Sequence, residues 1–209
     1  MLKVLIADDH EIIRRGIKQI LVEGFPFIEI SEAVDTATLL EKAKAGNWDI
    51  IISDLSMPGG GGLEAIPKII DKKPEQRILI VSIYPEEQYA FRAIRLGAYG
   101  FLNKDTAPDE LIKAVNTIIS GRRYINPELA DRMTSSKLKK AGLLPHELLS
   151  EREFQVMLKL ATGISISEIA TQLNVSANTI STYRIRVMEK MDLKNNADLI
   201  RYVLENKFI

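Results

Sequence analysis

The chain has no cysteine and only two histidines among its 209 residues. Disulfides, thiolate metal sites and a cysteine nucleophile are therefore excluded, and His10 and His146 are too few for a histidine-rich metal centre. No apolar run approaches the roughly 18 residues that a membrane-spanning helix requires. The opening run Leu2 to Ala7 meets Asp8 and Asp9 too soon to be the core of a signal peptide. An excess of one charge is also missing, since 28 Lys and Arg balance 28 Asp and Glu. What is present, 46% hydrophobic and 27% charged residues, is ordinary for a folded protein and argues against disorder. A cytoplasmic, globular chain with no membrane contact is expected.

The neutral total hides an asymmetry. Residues 1–120 hold 14 basic and 18 acidic side chains, a net of −4, whereas residues 121–209 hold 14 and 10, a net of +4. Two domains with different partners are expected, the basic one suited to nucleic acid.

Periodicity separates the same halves. Apolar runs rich in β-branched residues predict buried strands at Leu2–Ala7, Ile28–Ala33, Ile50–Ser53, Ile78–Ser82 and Gly100–Leu102. Helical patterns lie between and after them. Their apolar faces are Ile12, Ile13, Ile17, Ile20 and Leu21; Leu39, Leu40 and Ala43; Leu63, Ile66, Ile69 and Ile70; Tyr89, Ala93, Ile94 and Leu96; and Leu111, Ile112, Val115, Ile118 and Ile119. Thr106 to Asp109 reads as a capping box for the fifth helix. Five strand-then-helix units predict an α/β doubly wound, five-stranded parallel sheet covered on both faces by helices over residues 1–121.

Residues 122–147 have linker composition, with one short helix expected near Pro127–Met133. Residues 148–209 show no strand signal. Ser150-Glu151-Arg152-Glu153 and Ser165-Ile166-Ser167-Glu168 are capping boxes, Leu173-Asn174-Val175 is a tight turn, and Ser176 opens a longer helix reaching about Met191. A last helix carries Leu199, Ile200, Val203 and Leu204. Four short helices with a three-residue turn between the second and third predict a small all-α helix-turn-helix bundle.

Ligands of an open parallel sheet bind outside the carboxyl ends of its strands. Those ends carry Asp8 and Asp9, Asp54, Ser82 and Lys104. Aspartate at a strand end is ordinary turn chemistry when taken singly. Three carboxylates, a hydroxyl and an ammonium at one edge are not. The carboxylates repel one another and call for a cation, and oxygen ligands without thiolate favour Mg²⁺. A carboxylate beside such an ion can take a phosphoryl group, with Lys104 and Ser82 meeting the transferred oxygens. His10 reads as a helix-start residue rather than a ligand. Gly59 to Gly62 lacks the Lys-Ser/Thr ending of a P-loop and reads as a permissive loop.

Asp8-Asp9, Asp54 within Ser53-Asp54-Leu55-Ser56-Met57-Pro58-Gly59, Ser82 and Lys104 together resemble the receiver domain of bacterial two-component response regulators. The resemblance implies a flavodoxin-like strand order for the sheet, and that Asp54 accepts phosphate from a histidine kinase. It implies that Asp9, the Ser56 carbonyl, Asp54 and, largely through water, Asp8 hold Mg²⁺. Ser82 and Phe101 become the switch hydroxyl and aromatic, and Lys104 the phosphate-pairing lysine. Asp105 follows Lys104 where proline is frequent in the family.

The motifs Leu149 to Glu153, Glu168-Ile169-Ala170, Leu173 to Ser176, Thr179 to Tyr183 and Arg186 to Met191 are similar to the LuxR-type helix-turn-helix of NarL/FixJ regulators. The joint resemblance implies a phosphorylation-dependent transcription factor that catalyses only its own phosphoryl transfer and dephosphorylation. Its implied partners are promoter DNA, RNA polymerase and a second copy of the chain. Base contacts are expected from Asn178, Ser181, Thr182 and Ile185, and phosphate contacts from Thr179, Tyr183, Arg184, Arg186 and Lys190. A phosphatase using Asp54 is the rival from another class. The haloacid-dehalogenase-like signature, however, wants an acid two positions after the nucleophile, where Ser56 stands.

Overall fold

The computed structural model describes residues 1–84, 86–125, 144–206 and 208. The expected helix at Pro127–Met133 and the lysine-bearing stretch after it lie outside the described residues. The chain divides into two compact units, Met1–Leu138 and Lys139–Ile209.

In the first unit, β1 (Leu2–Ala7), β2 (Ile28–Ala33), β3 (Ile50–Asp54), β4 (Ile78–Ser82) and β5 (Gly100–Asn103) form one sheet. Its order is β2-β1-β3-β4-β5 and the pairings are all parallel. The helices are α1 (Glu11–Gly24), α2 (Thr36–Ala45), α3 (Gly61–Ile70), α4 (Glu86–Arg95) and α5 (Ala107–Ile119). Strands β3 and β4 are buried along their whole length, as the unbroken apolar runs require of a sheet covered on both faces. Val4, Ile6, Ile50, Ile52, Leu79 and Val81 pack with Ile17 and Leu21 of α1 and with Leu111, Val115 and Ile118 of α5. The alternate residues Leu5, Ile51, Ile80 and Phe101 are also buried, on the opposite face.

Two expectations need correction. Ile12 is 84% exposed, because the inward stripe of α1 runs through Ile13, Ile17, Ile20 and Leu21 and Ile12 falls one position off it. Thr106 does not cap α5. It has helical backbone angles, and its hydroxyl donates to the Asn103 carbonyl at 3.2 Å instead of accepting from a first-turn amide. Tyr124 pairs with the edge of β5, its amide donating to Tyr99 O at 2.8 Å and its phenol bonding to Glu110.

The second unit holds a 3₁₀ turn (Pro145–Leu148) and four helices: α6 (Glu151–Ala161), α7 (Ile166–Gln172), α8 (Ala177–Lys190) and α9 (Asn196–Glu205). The capping boxes at Ser150 and Ser165 both form, with each serine accepting from the third helical amide and each glutamate reaching back. Asn174 takes a positive φ of 54° in the turn between α7 and α8, and Val175 N donates to Ala170 O at 3.0 Å. Val156, Ile169, Ala170 and Ile180 form the core where α6, α7 and α8 meet. Among the described residues, no helix is long and apolar enough to cross a membrane.

Candidate functional site

Strand β3 delivers Asp54 to the carboxyl edge of the sheet, and a glycine run shapes the loop around it. Gly61 has φ +78°, and a Cβ there would lie 2.2 Å from the Leu55 carbonyl oxygen. At Gly62 a Cβ would lie 2.4 Å from the carbonyl oxygen of Asp54 itself. Only hydrogen lets the start of α3 approach the back of Asp54 so closely. Gly62 N donates to Leu55 O at 2.9 Å, and Gly61 N donates to the Thr36 hydroxyl at 2.9 Å. The permissive loop read from the sequence is thus a close backbone approach behind the central carboxylate.

Asp54 Oδ1 accepts from Leu55 N at 2.7 Å, and Asp54 Oδ2 lies 3.1 Å from Lys104 Nζ. The same ammonium lies 2.6 Å from Asp8 Oδ2. Lys104 is placed there by its position one residue past β5, where its amide donates to Ser82 O at 2.8 Å. Burial pushes the Asp54 carboxyl up to about 6; Lys104 opposes that rise and Asp8 adds to it. For Lys104, burial favours the neutral amine, but Asp54 and Asp8 outweigh it and hold the ammonium above its ordinary range.

Asp8, Asp9, His10 and Asp54 each offer a ligand atom, and these atoms all lie within 4.8 Å of one another. Asp8 Oδ2 is buried, and the Lys104 ammonium meets it at 2.6 Å. Three clustered carboxylates, hard oxygen donors with no thiolate among them, fit a divalent cation. The edge is therefore an acidic cluster able to hold a metal ion.

Ser82 is fully buried at the end of β4, and its Oγ accepts from Tyr84 N at 3.2 Å. Phe101 is buried on β5, opposite Ile80. Ser56 lies half-buried two residues past Asp54. His10 is a participant that sequence reasoning missed. It occupies the N-cap of α1 without capping it, and its Nδ1 lies 3.0 Å from Asp9 Oδ1 and 3.3 Å from Asp8 Oδ1. Its adjacency to the two aspartates was the available signal.

In the second unit, α8 buries Ile180 and Val187 against its neighbours. Asn178, Thr182, Ile185 and Arg186 are exposed, while Thr179, Ser181, Tyr183 and Arg184 are intermediate. Two of the expected phosphate contacts are engaged inside the unit. Arg184 donates to Asn196 Oδ1 through Nε at 3.2 Å and through Nη2 at 3.0 Å. Lys190 Nζ donates to Glu153 Oε2 at 2.6 Å, joining the last residue of α8 to the buried capping glutamate of α6.

A doubly wound parallel domain with an acidic edge, followed by a helix-turn-helix bundle, defines a receiver-controlled DNA-binding regulator. Comparison with known proteins agrees. Residues 4–116 match the response regulator receiver domain, and residues 147–203 match the bacterial regulatory proteins of the luxR family. Response regulator UvrY of Escherichia coli O6:H1 is 33% identical over 99% of this chain and 95% of its own length. The oxygen regulatory protein NreC of Staphylococcus carnosus is 34% identical over 100% and 99%. RcsB from Salmonella enterica serovar Typhimurium, solved bound to promoter rprA in the presence of a phosphomimetic, aligns with a TM-score of 0.59 at 28% identity, covering 97% of this chain and 98% of that one. The chain belongs to the NarL/FixJ-type two-component response regulators, with a receiver domain and a LuxR-type DNA-binding domain.

Proposed function

We propose that Asp54 is the phosphoacceptor of this regulator, and the observation that carries the reading is its buried carboxylate held by Lys104 beside Asp8 and Asp9. An Asp54 oxygen attacks the phosphorus of a phosphohistidine on a sensor kinase. A phosphorus–oxygen bond forms as the phosphorus–nitrogen bond breaks, and the released imidazole takes up a proton. Burial and Asp8 make Asp54 less acidic than usual, while Lys104 keeps it ionised at neutral pH, as a nucleophile must be. Mg²⁺, when bound by Asp9, Asp54, the Ser56 carbonyl and, through water, Asp8, supplies charge neutralisation at the transferred oxygens. Lys104 then pairs with one phosphoryl oxygen and the Ser82 hydroxyl donates to another. Phe101 follows Ser82, altering the surface around α4, β5 and α5.

Acetyl phosphate with Mg²⁺ is expected to label the wild-type chain and to leave Asp54→Ala unlabelled, as read by intact-mass spectrometry or a phosphate-affinity gel. Equal labelling of Asp54→Ala would remove the assignment. Residues 1–121 are the receiver in this reading, 122–147 the linker and 148–209 the DNA-binding domain. The regulator works in the cytoplasm and catalyses no reaction beyond its own phosphorylation and dephosphorylation. Its partners are a histidine kinase, promoter DNA, RNA polymerase and a second copy of itself.

For DNA, α8 is the recognition helix, and a two-fold dimer presents two copies to half-sites about one helical turn apart. Asn178, Ser181 and Thr182 read base edges by amide and hydroxyl contacts, and Ile185 offers an apolar surface to a thymine methyl. Thr179, Tyr183, Arg184 and Arg186 approach the phosphates. Lys190, 41% exposed, approaches them too while joined to Glu153. Alanine at Asn178 or Thr182 should cost about 1–3 kcal/mol on the specific site and spare non-specific binding. Arg186→Ala should weaken binding to all duplexes and lower the salt slope by about 0.9. Titrations on specific and scrambled duplexes at several salt concentrations separate the two. Full discrimination by the Asn178 and Thr182 variants would show that α8 is not the reader.

A further inference from the structure

We propose that Arg14 is a positioning residue for phosphoryl transfer, holding Asp8 from behind the reactive edge without touching the reacting atoms. The inference rests on the reading of Asp54 as phosphoacceptor with Asp8 and Asp9 beside it. The first observation is burial. Arg14, Ile17 and Leu21 are the buried residues of α1, spaced three and four apart, so a charge occupies a core-facing position. A cation out of water is costly unless it is paired and hydrogen-bonded.

The guanidinium is both. Arg14 Nη1 donates to Asp8 O at 2.8 Å in a buried bond, and Nε donates to Glu32 Oε2 at 3.2 Å. Glu32 stands on the edge strand β2, in register with Ile6 of β1, and Lys18 Nζ donates to its other oxygen at 3.1 Å. Arg14 therefore spans from the edge strand to the chain leaving β1. A planar fork can offer separate donors to a carboxylate and a carbonyl in fixed directions, and an ammonium cannot.

The second observation is what the bond restrains. Asp8 is held at four points. Its amide donates to Ala33 O at 3.2 Å, Oδ1 accepts from His10 N at 2.8 Å, and Oδ2 meets Lys104 Nζ at 2.6 Å. The fourth point, its carbonyl, is held by Arg14, a side chain outside the reactive edge. The strand ends at Ala7, and Arg14 carries its restraint one residue further. The Asp8 carbonyl belongs to the rigid peptide plane that joins Asp8 to Asp9. Fixing that plane fixes the directions in which both carboxylates leave the chain, and with them the ammonium that Asp8 shares with Asp54. Groups that orient the reactive residues in this way cost about 10–100-fold in metal affinity or activity when removed.

The test compares the full-length chain with Arg14→Ala, Arg14→Lys, Glu32→Ala and Ile20→Ala. Ile20 packs on the receiver core from the same helix, so its variant loosens α1 without removing a partner of Asp8. Labelling by acetyl phosphate is followed by intact mass across a Mg²⁺ series, and amide hydrogen exchange is read on the metal-free chain. Arg14→Ala should need about tenfold more Mg²⁺ for half-maximal labelling, with less than about threefold change in rate at saturation. The Asp8 and His10 amides should exchange faster in it, while those of β4 keep their protection. Arg14→Lys should fall between this variant and wild type, because its ammonium serves one partner at a time. Should Arg14→Ala not fold, Glu32→Ala frees one arm of the fork and should shift the Mg²⁺ requirement in the same direction. Wild-type Mg²⁺ requirement and exchange in every folded Arg14 or Glu32 variant, or an equal shift in Ile20→Ala, would overturn the proposal and leave Asp54 as phosphoacceptor. Labelling that survives in Asp54→Ala would remove that underlying reading instead.

Discussion

Replacing Lys104 by alanine should destabilise the receiver by about 3 kcal/mol at neutral pH in the presence of a chelator. The ammonium is the shared partner of Asp8 and Asp54, at 2.6 Å and 3.1 Å, and all three side chains are less than a tenth exposed. Its removal leaves two buried carboxylates facing each other, a larger penalty than losing an exposed pair. The variant's recourse is to protonate Asp54, which is already raised to about 6 in the wild type, and this caps the loss. The sign follows from each group. Lys104 is raised in the folded state, so its contribution is fully present below 10.5 and fades only as pH rises beyond that value. On the acid side the deficit should narrow as pH falls toward about 6, because Asp54 without Lys104 takes up its proton above the wild-type value. Trp48 is the only tryptophan and lies in the receiver, so denaturant titration followed by its fluorescence reports this unit. Equal midpoints for wild type and Lys104→Ala at pH 7.5 would contradict the assignment.

The second large effect belongs to the DNA-binding unit. Glu153→Ala is expected to cost about 2–3 kcal/mol, combining a lost helix cap with a lost charged hydrogen bond to a buried group. Glu153 is 2% exposed, accepts from Ser150 N at 2.6 Å and from Lys190 Nζ at 2.6 Å. Lys190 is half-exposed, so solvent screens part of the ion pair, and the hydrogen bonds at the cap carry much of the effect. Burial raises the Glu153 pKa, but the bonds from Lys190 and Ser150 win and hold it below 4.5. Its contribution is therefore present above 4.5 and is lost as pH falls through the depressed value. Hydrogen exchange of α6 and α8 amides measures the change locally. Faster exchange in both helices is expected at pH 7, with α8 affected because the pair links its last residue to α6. Protection unchanged in α8 would mean that Lys190 contributes nothing to placing the recognition helix.

The sheet and the acidic edge are legible in the sequence because buried parallel strands are written as continuous apolar runs, and the polar residue ending each run falls at one edge. Asp8, Asp54, Ser82 and Lys104 are placed by that rule alone. The structure extends β3 to Asp54 and β5 to Asn103, one residue each, which period-two patterning does not resolve. Contacts that need two elements are not legible. Lys190 and Glu153 are 37 residues apart, and a helical wheel of α8 shows only that the lysine is polar. Arg184 meeting Asn196 is of the same kind. His10 escapes notice because a residue just before a helix already has a local explanation, and only the folded arrangement shows that the ring declines it. Thr106 fails in the opposite direction: its motif is right, but the turn from β5 fixes it in a helical conformation that cannot cap.

The glycine pair behind Asp54 also has a consequence for heredity. Gly61 and Gly62 each lie where a single added carbon would collide with a backbone oxygen of Leu55 or Asp54. Any missense change at either codon adds at least that carbon, so no allele at these two sites is conservative, however similar its side chain. Gly16, where an added methyl would meet nothing within 4 Å, stands under no such constraint and is free to drift. The receiver thus has a stretch of gene where variation is filtered by the backbone of the reactive residue itself, and a lineage that alters its signalling must do so around these codons and not through them.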